Sequence, residues 1–195
     1  MKNQQKNSLE VRQFECKELR SSLNAKGESV VIGYAAVFDQ LSEDLGGFKE
    51  KINKRAFDKV LQNDVVALLN HDSNIVFGRT SSGTLKLSVD ERGLVSEITM
   101  PNTQAAKDTI ELMKRGDISK MSFGFYVDED EWKESERGFV REVKEVKRLT
   151  DVSLVTTPAY PQTTAAVRSL DIFKNIKTGS LDLIKNKLKL LKLKK

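Results

Sequence analysis

The chain has one histidine, one cysteine and one tryptophan in 195 residues, with only three prolines. A single cysteine excludes an internal disulfide framework, and with a single histidine it also excludes zinc sites built from several His and Cys ligands. Neither an EF-hand spacing nor a glycine-rich phosphate loop of the Walker or dinucleotide type occurs, so the commonest nucleotide-dependent activities are removed. No cofactor is expected. No apolar run approaches the ~20 residues that span a bilayer, and the N-terminus MKNQQKNSLEVRQFE lacks the apolar stretch of a signal peptide. These absences point to a soluble protein used in a cytoplasm, with no membrane association. No repeat of solenoid or propeller length is visible.

What is present suits one soluble domain with appendages: 38% hydrophobic residues for a core and 31% charged residues for its surface. The net charge of +5 is unevenly placed. From Lys174 onward eight lysines face the single acid Asp182, which leaves the rest of the chain slightly acidic. A basic partner-seeking surface therefore belongs to the tail, and nucleic acid is not expected on the globular part. The expected division is a flexible N-terminus at 1–9, a domain at 10–168 and a basic amphipathic tail at 169–195. In that tail Leu181, Ile184, Leu188 and Leu191 keep helical spacing, although KLKLLKLK also alternates.

Along the domain, VRQFECKELRSSL and ESVVIGYAAVFDQL read as strands around a turn at Asn24–Gly27, with Gly33 marking a bulge or a close backbone approach. INKRAFDKVLQN reads as a short helix capped by Asn53, with Ala56, Phe57, Val60 and Leu61 on one face. DVVALLN is a continuous apolar run of strand length, as expected of a strand buried on both sides. IVFGRTSS, GTLKLSVDERG and LVSEITMP suit an antiparallel meander in which Leu85, Leu87 and Val89 alternate. TQAAKDTIELMKRGD is the best helix: Thr103 caps it, Ala106, Ile110 and Met113 share a face, and Gly116 stops it after Lys114-Arg115. ISKMSFGFYVDEDEW and GFVREVKEVKRLTDVSLVTTPAY read as further strands, the second long enough for two, with Pro158 and Pro161 closing the domain. Trp132, in DEDEWKESE, reads as part of a solvated hairpin tip. The fold class expected is mainly β with helices.

Three stretches carry candidate chemistry. In LLNHD the lone His71 leaves a buried strand together with Asn70 and Asp72, which places an imidazole at the lip of a sheet, held rigidly and within reach of a substrate. In ISKMSFGFY, Ser122 stands in an apolar strand, and it either faces the open side of the sheet or meets a base there. Gly124 beside it permits the close approach an oxyanion site needs. In LTDVSLVTTPAY, Asp151 precedes an apolar strand; it is either a strand-initiating aspartate or the acid that orients an imidazole and stabilises its protonated form. Glu142, Glu145 and Asp72 compete for that role. Cys16, in an early strand, ranks below Ser122 as a nucleophile.

Together, GYAAVFDQ, FKEKINKRAFDKVL, LLNHD, FGRT, ISKMSFGF and LTDVSLVTTPAYPQT, in this order and spacing over roughly residues 10 to 168, resemble the prohead maturation proteases of tailed bacteriophages. That family is similar to the herpesvirus assemblins. The resemblance implies an assemblin-like, closed or nearly closed β-barrel surrounded by a few helices, and a homodimer. It implies a serine endopeptidase, inside the procapsid in the host cytoplasm, whose protein substrates are the scaffolding segment of the major capsid protein, internal scaffold and the protease itself. Residue by residue, His71 matches the base, Ser122 the nucleophile and Asp151 the acid, where the family usually has glutamate. The competing reading is a non-enzymatic internal scaffold or capsid-assembly factor; the long coiled coil of a fused scaffold is missing from the heptad pattern. A nucleic-acid-binding barrel would need basic and aromatic residues interleaved on its strands.

Overall fold

The computed structural model describes residues 8–15, 19–136, 138–156, 168–175 and 177–178. Cys16, Pro158, Pro161 and most of the lysine-rich tail lie outside the described residues. Among the described residues ten strands form two sheets, accompanied by two helical segments. The strands are β1 (Glu10–Glu15), β2 (Arg20–Leu23), β3 (Ser29–Val37), β4 (Phe48–Ile52), β5 (Val66–Leu69), β6 (Asp72–Arg79), β7 (Leu85–Val89), β8 (Gly93–Thr99), β9 (Lys120–Ser135) and β10 (Gly138–Val155). Helix α1 covers Gln104–Arg115, and residues 168–175 and 177–178 form the helical segment α2. Among the described residues no helix is long and apolar enough to cross a membrane.

One sheet runs β1-β9-β10-β5-β6, with β4 also on β10; the other runs β2-β3-β8-β7. The expected closed barrel is not formed. β10 is the reason for part of this geometry. Its residues 139–143 pair parallel with β4 and its residues 151–154 pair parallel with β5, while β9 follows it antiparallel along most of its length. Register shifts between Val143 and Asp151 bend the long hairpin, because each extra residue on one strand kinks the ladder and increases its twist. The sheet splays around β10 instead of closing on itself, and no described ladder joins it to the second sheet beyond an isolated Phe38–Ile52 bridge.

Most apolar runs become the elements their patterns suggest. β5 lies between β10 and β6, so the continuous run at 65–69 is a central strand. In α1 the Thr103 side chain accepts from the Ala106 N–H, and Gly116 takes a left-handed φ of 85° while its N–H returns to Leu112 and Met113. Four expectations need correction. VRQFECKELRSSL is two strands in different sheets, β1 and β2. The expected meander is divided as well, since β6 pairs with β5 while β7 and β8 join β3. The segment 54–62 is a chain of turns and not a helix: Ala56, Asp58, Val60 and Asn63 each donate to the carbonyl three residues back. Its apolar residues Ala56, Phe57 and Val60 are still buried, so burial and not the 3.6-residue repeat decides their role. The β3 bulge falls between Tyr34 and Ala36, where the register to β8 shifts, and not at Gly33.

The core lies between the sheets. Met121, Phe123 and Phe125 of β9 and Val152 and Leu154 of β10 are sealed against Val31, Ala35, Leu94 and Ile98 of the second sheet, with Phe57 edge-on to Phe123 at 5.5 Å. Because side chains alternate along a strand, Ser122 and Gly124 on β9 and Asp151 and Ser153 on β10 are turned to the opposite face. A smaller cluster of Leu45, Phe48, Phe139 and Leu170 includes Trp132, whose ring stacks on Phe173 of α2 at 5.1 Å. Trp132 is therefore a packing residue and not part of a solvated tip.

Candidate active site

His71 owes its position to a two-residue hairpin. Asn70 and His71 link β5 to β6 with φ of 50° and 60°, and Leu69 pairs with Asp72 across the turn. Positive φ at both central positions is the mark of the turn that matches strand twist, usually met by Asn-Gly. Asn tolerates it, and a β-carbon on His71 makes it costly by about 1–2 kcal/mol. The turn is held on the end of β10: the Asn70 N–H donates to Leu154 O at 2.9 Å, and Asn70 Oδ1 accepts from the Thr156 N–H at 3.0 Å. The imidazole consequently overhangs the face that carries Ser122 and Asp151.

The structure brings the three residues together. His71 Nε2 is 2.7 Å from Ser122 Oγ, and His71 Nδ1 is 2.5 Å from Asp151 Oδ2. Ser122 is fully buried, Asp151 is 9% exposed, and the His71 side chain is 23% exposed. The ladder fixes the spacing: Ser122 of β9 pairs with Ser153 of β10, and Gly124 pairs with Asp151. Aspartate reaches the imidazole without the extra methylene of glutamate. The competing acids are engaged elsewhere. Glu142 accepts from Asn53 Nδ2 at 2.8 Å and lies beside Lys51 and Lys144; Glu145 pairs with Lys59; Asp72 accepts from the Asn74 N–H at 2.9 Å. Cys16 is outside the described residues.

Asp151 has more partners than the imidazole. Ser153 Oγ donates to Oδ2 at 3.0 Å, and Thr150 Oγ1 lies 3.0 Å from Oδ1 and 2.8 Å from Gly124 O. At Gly124 a β-carbon would stand 2.4 Å from Asp151 Oδ1 and 2.6 Å from Thr150 Oγ1. The glycine makes room for the carboxylate. Ser122 Oγ also lies 2.8 Å from the carbonyl of Arg12, on the neighbouring edge strand β1. Sequence reasoning missed Thr150, Ser153 and the Arg12 carbonyl. The period of two in TDVSLV was the available signal, since it puts Asp151 and Ser153 on one face.

β1 is fixed by buried charge. Arg12 pairs with Glu50 at 2.7 Å and Glu10 at 2.6 Å, and Arg141 pairs with Glu10 at 2.7 Å and Glu50 at 3.0 Å, all four nearly free of solvent. Burial alone would raise the Glu10 carboxyl above its ordinary range, but the Arg141 and Arg12 guanidiniums outweigh it and hold the group below that range. The same carboxylates raise both guanidiniums against the opposing effect of burial.

This geometry supports nucleophilic acyl transfer. A hydroxyl becomes an effective nucleophile when a neighbouring imidazole accepts its proton during attack, and Nε2 is within that reach. A carboxylate beside Nδ1 favours the tautomer that leaves Nε2 free to accept.

A family model described as caudovirus prohead serine protease matches residues 14–178. A prohead protease of Enterobacteria phage HK97 is 30% identical over 156 residues, 77% of this chain. The chain spans about 65% of the length of that curated relative. The solved structure of the bacteriophage T4 capsid assembly protease superposes with a TM-score of 0.51 at 12% identity, covering 77% of this chain and 98% of the other. At that identity the likeness is one of fold.

Proposed function

Since the chain belongs to the caudovirus prohead serine protease family, we propose that it is a serine endopeptidase of capsid maturation with Ser122 as nucleophile, His71 as general base and Asp151 as the acid. The observation that supports this reading is the unbroken line Ser122 Oγ, His71 Nε2, His71 Nδ1, Asp151 Oδ2, with both links at 2.7 Å or less.

In the first half-reaction Ser122 Oγ attacks the scissile carbonyl carbon while Nε2 takes its proton. Asp151 stabilises the imidazolium through Nδ1–H. The tetrahedral intermediate collapses as Nε2 returns the proton to the leaving amine, and an acyl-serine remains. Water, activated by the same nitrogen, then releases the acyl group and restores Ser122. Prearranged donors for the oxyanion are each worth about 3 kcal/mol in such reactions.

The proposed substrate class is supported by the named relative, a prohead protease. The proposed substrates are the scaffolding segment of the major capsid protein, internal scaffold and the protease itself. The proposed site of action is the procapsid in the host cytoplasm, with a homodimer as the working form. The domain is proposed to occupy 10–168, with the lysine-rich tail outside it.

The test is co-expression with the major capsid protein and scaffold of the same genome, comparing the parent with Ser122→Ala by intact-mass spectrometry. Shortening of capsid protein or protease by the parent, absent in Ser122→Ala, is the expected result. Cleavage that persists in the mutant removes Ser122 as nucleophile. Full-length products from both, in assembled particles, favour the scaffold role.

A further inference from the structure

Ser153 takes no part in the proton path described above, yet it lies in the middle of the site. It is fully buried, and its Oγ is 3.0 Å from Asp151 Oδ2 and 3.3 Å from His71 Nδ1. The ladder places it directly across from Ser122 and two residues beyond Asp151, so all three side chains share one face. Its chain neighbours Val152, Leu154 and Val155 are buried and apolar. A hydroxyl in such a run is unfavourable unless its proton reaches an acceptor, and of the two groups within reach Asp151 Oδ2 is nearer than His71 Nδ1.

We propose that Ser153 is a positioning residue: its hydroxyl donates to Asp151 Oδ2 and locks the carboxylate in line with His71 Nδ1, which keeps the imidazole in the tautomer with a free Nε2. The inference rests on the reading of His71 as the base. A carboxylate swings about its last torsion unless both oxygens are held, because that torsion is broad and roughly two-fold. Thr150 Oγ1 stands at Oδ1 on one side, but its single proton is shared between Oδ1 and Gly124 O. Without Ser153, Oδ2 would be held by the imidazole alone, so the residue that should orient the base would itself be oriented by the base. Ser153 supplies a reference point that belongs to the sheet. Its donor is on the same strand as Asp151, two residues away.

Other charged groups near the imidazole do not supply this restraint. The Asp72 carboxylate accepts from the Asn74 N–H and Nδ2, and the Arg12 guanidinium is held by Glu10 and Glu50, with only its carbonyl toward Ser122.

The lone histidine makes the test direct, because selective 15N-histidine labelling reports one imidazole. In the Ser122→Ala protein, which removes self-cleavage, the Nδ1 and Nε2 shifts are expected to show the Nδ1–H tautomer. Adding Ser153→Ala is expected to move both shifts toward a mixture of tautomers. In the active protein, Ser153→Ala is expected to lower kcat about 10- to 100-fold with KM little changed, the scale of a misplaced catalytic group. Ser153→Thr, which keeps the hydroxyl, is expected to restore most of it. If the alanine cavity prevents folding, Ser153→Cys conserves volume with a much weaker donor and takes its place. An unchanged tautomer and unchanged kcat in a folded variant overturn the inference, even if stability falls. A parent that cleaves no protein overturns the proposed function instead, while the tautomer spectra still decide the role of Ser153.

Discussion

Gly124 stands directly across the β9–β10 ladder from Asp151, and a methyl group in its place would lie 2.4 Å from Asp151 Oδ1. A β-carbon essentially never stands under 3.0 Å from another heavy atom, so the carboxylate would have to leave its line with Nδ1. Displacement of a catalytic group by about 1 Å costs on the order of 100-fold in rate. Gly124→Ala is therefore expected to fold with native circular dichroism and lose about 100-fold or more in kcat/KM. Parental activity in a folded Gly124→Ala protein would show that Asp151 does not need its observed place.

Glu142 links acid to stability. Burial alone would raise its carboxyl, but hydrogen bonds from Lys144, Asn53 and Lys51 outweigh that and hold it at about 2, below its ordinary 4.5. A carboxyl depressed by folding contributes stability that is fully present above 4.5 and is lost as the pH falls toward 2. The urea midpoint is expected to decline through that window, and Glu142→Gln is expected to make the decline shallower. Equal slopes for the two proteins would count against the assignment.

Arg141 closes the buried charge group that holds β1. Its removal would leave Glu10 and Glu50 sharing only Arg12, with less than 5% exposure at either carboxylate. Breaking a buried pair from one side costs about 3–5 kcal/mol. Arg141→Met is expected to lose stability on that scale in urea unfolding, whereas an exposed pair such as Lys86–Glu97 is expected to lose less than about 1 kcal/mol when Lys86 is replaced.

The single tryptophan reports the docking of α2. Trp132 stacks on Phe173 at 10° between ring planes and lies 4.8 Å from Phe48. Phe173→Ala is expected to shift Trp132 emission to the red with little change in the far-ultraviolet spectrum. Unshifted emission would mean that α2 does not cover the indole.

Local signals in the sequence were sufficient for α1, for β5 and for the placing of His71 at a sheet edge, because a cap, a glycine stop and a continuous apolar run each depend on few residues. They were not sufficient where long-range pairing decides. Nothing in VRQFE shows that β1 joins the sheet of β9, since Arg12 and Glu10 take their meaning from Glu50 and Arg141. The turn chain at 54–62 carried the apolar face of a helix, and tertiary burial overrode that local preference. The register shifts that bend β10 against β9 have no sequence mark in REVKEVKRLTD. The site was legible in its residue types and became a geometry only through the β9–β10 register.

Among the described residues β10 is both the last strand and the one on which β4, β5 and β9 converge. Glu10 meets Arg141 across 131 residues, Arg12 meets Ser122 across 110, and His71 meets Asp151 across 80. During synthesis at roughly 5–20 residues per second, β1 waits on the order of 10 s for the strand it pairs with. That strand is β9, which brings Ser122, and the chain then carries its histidine and serine through the further interval before Asp151 on β10 is made. The proposed arrangement is therefore complete only once β10 is made, so an incomplete chain on the ribosome holds His71 and Ser122 without the Asp151 that the proposal pairs with them.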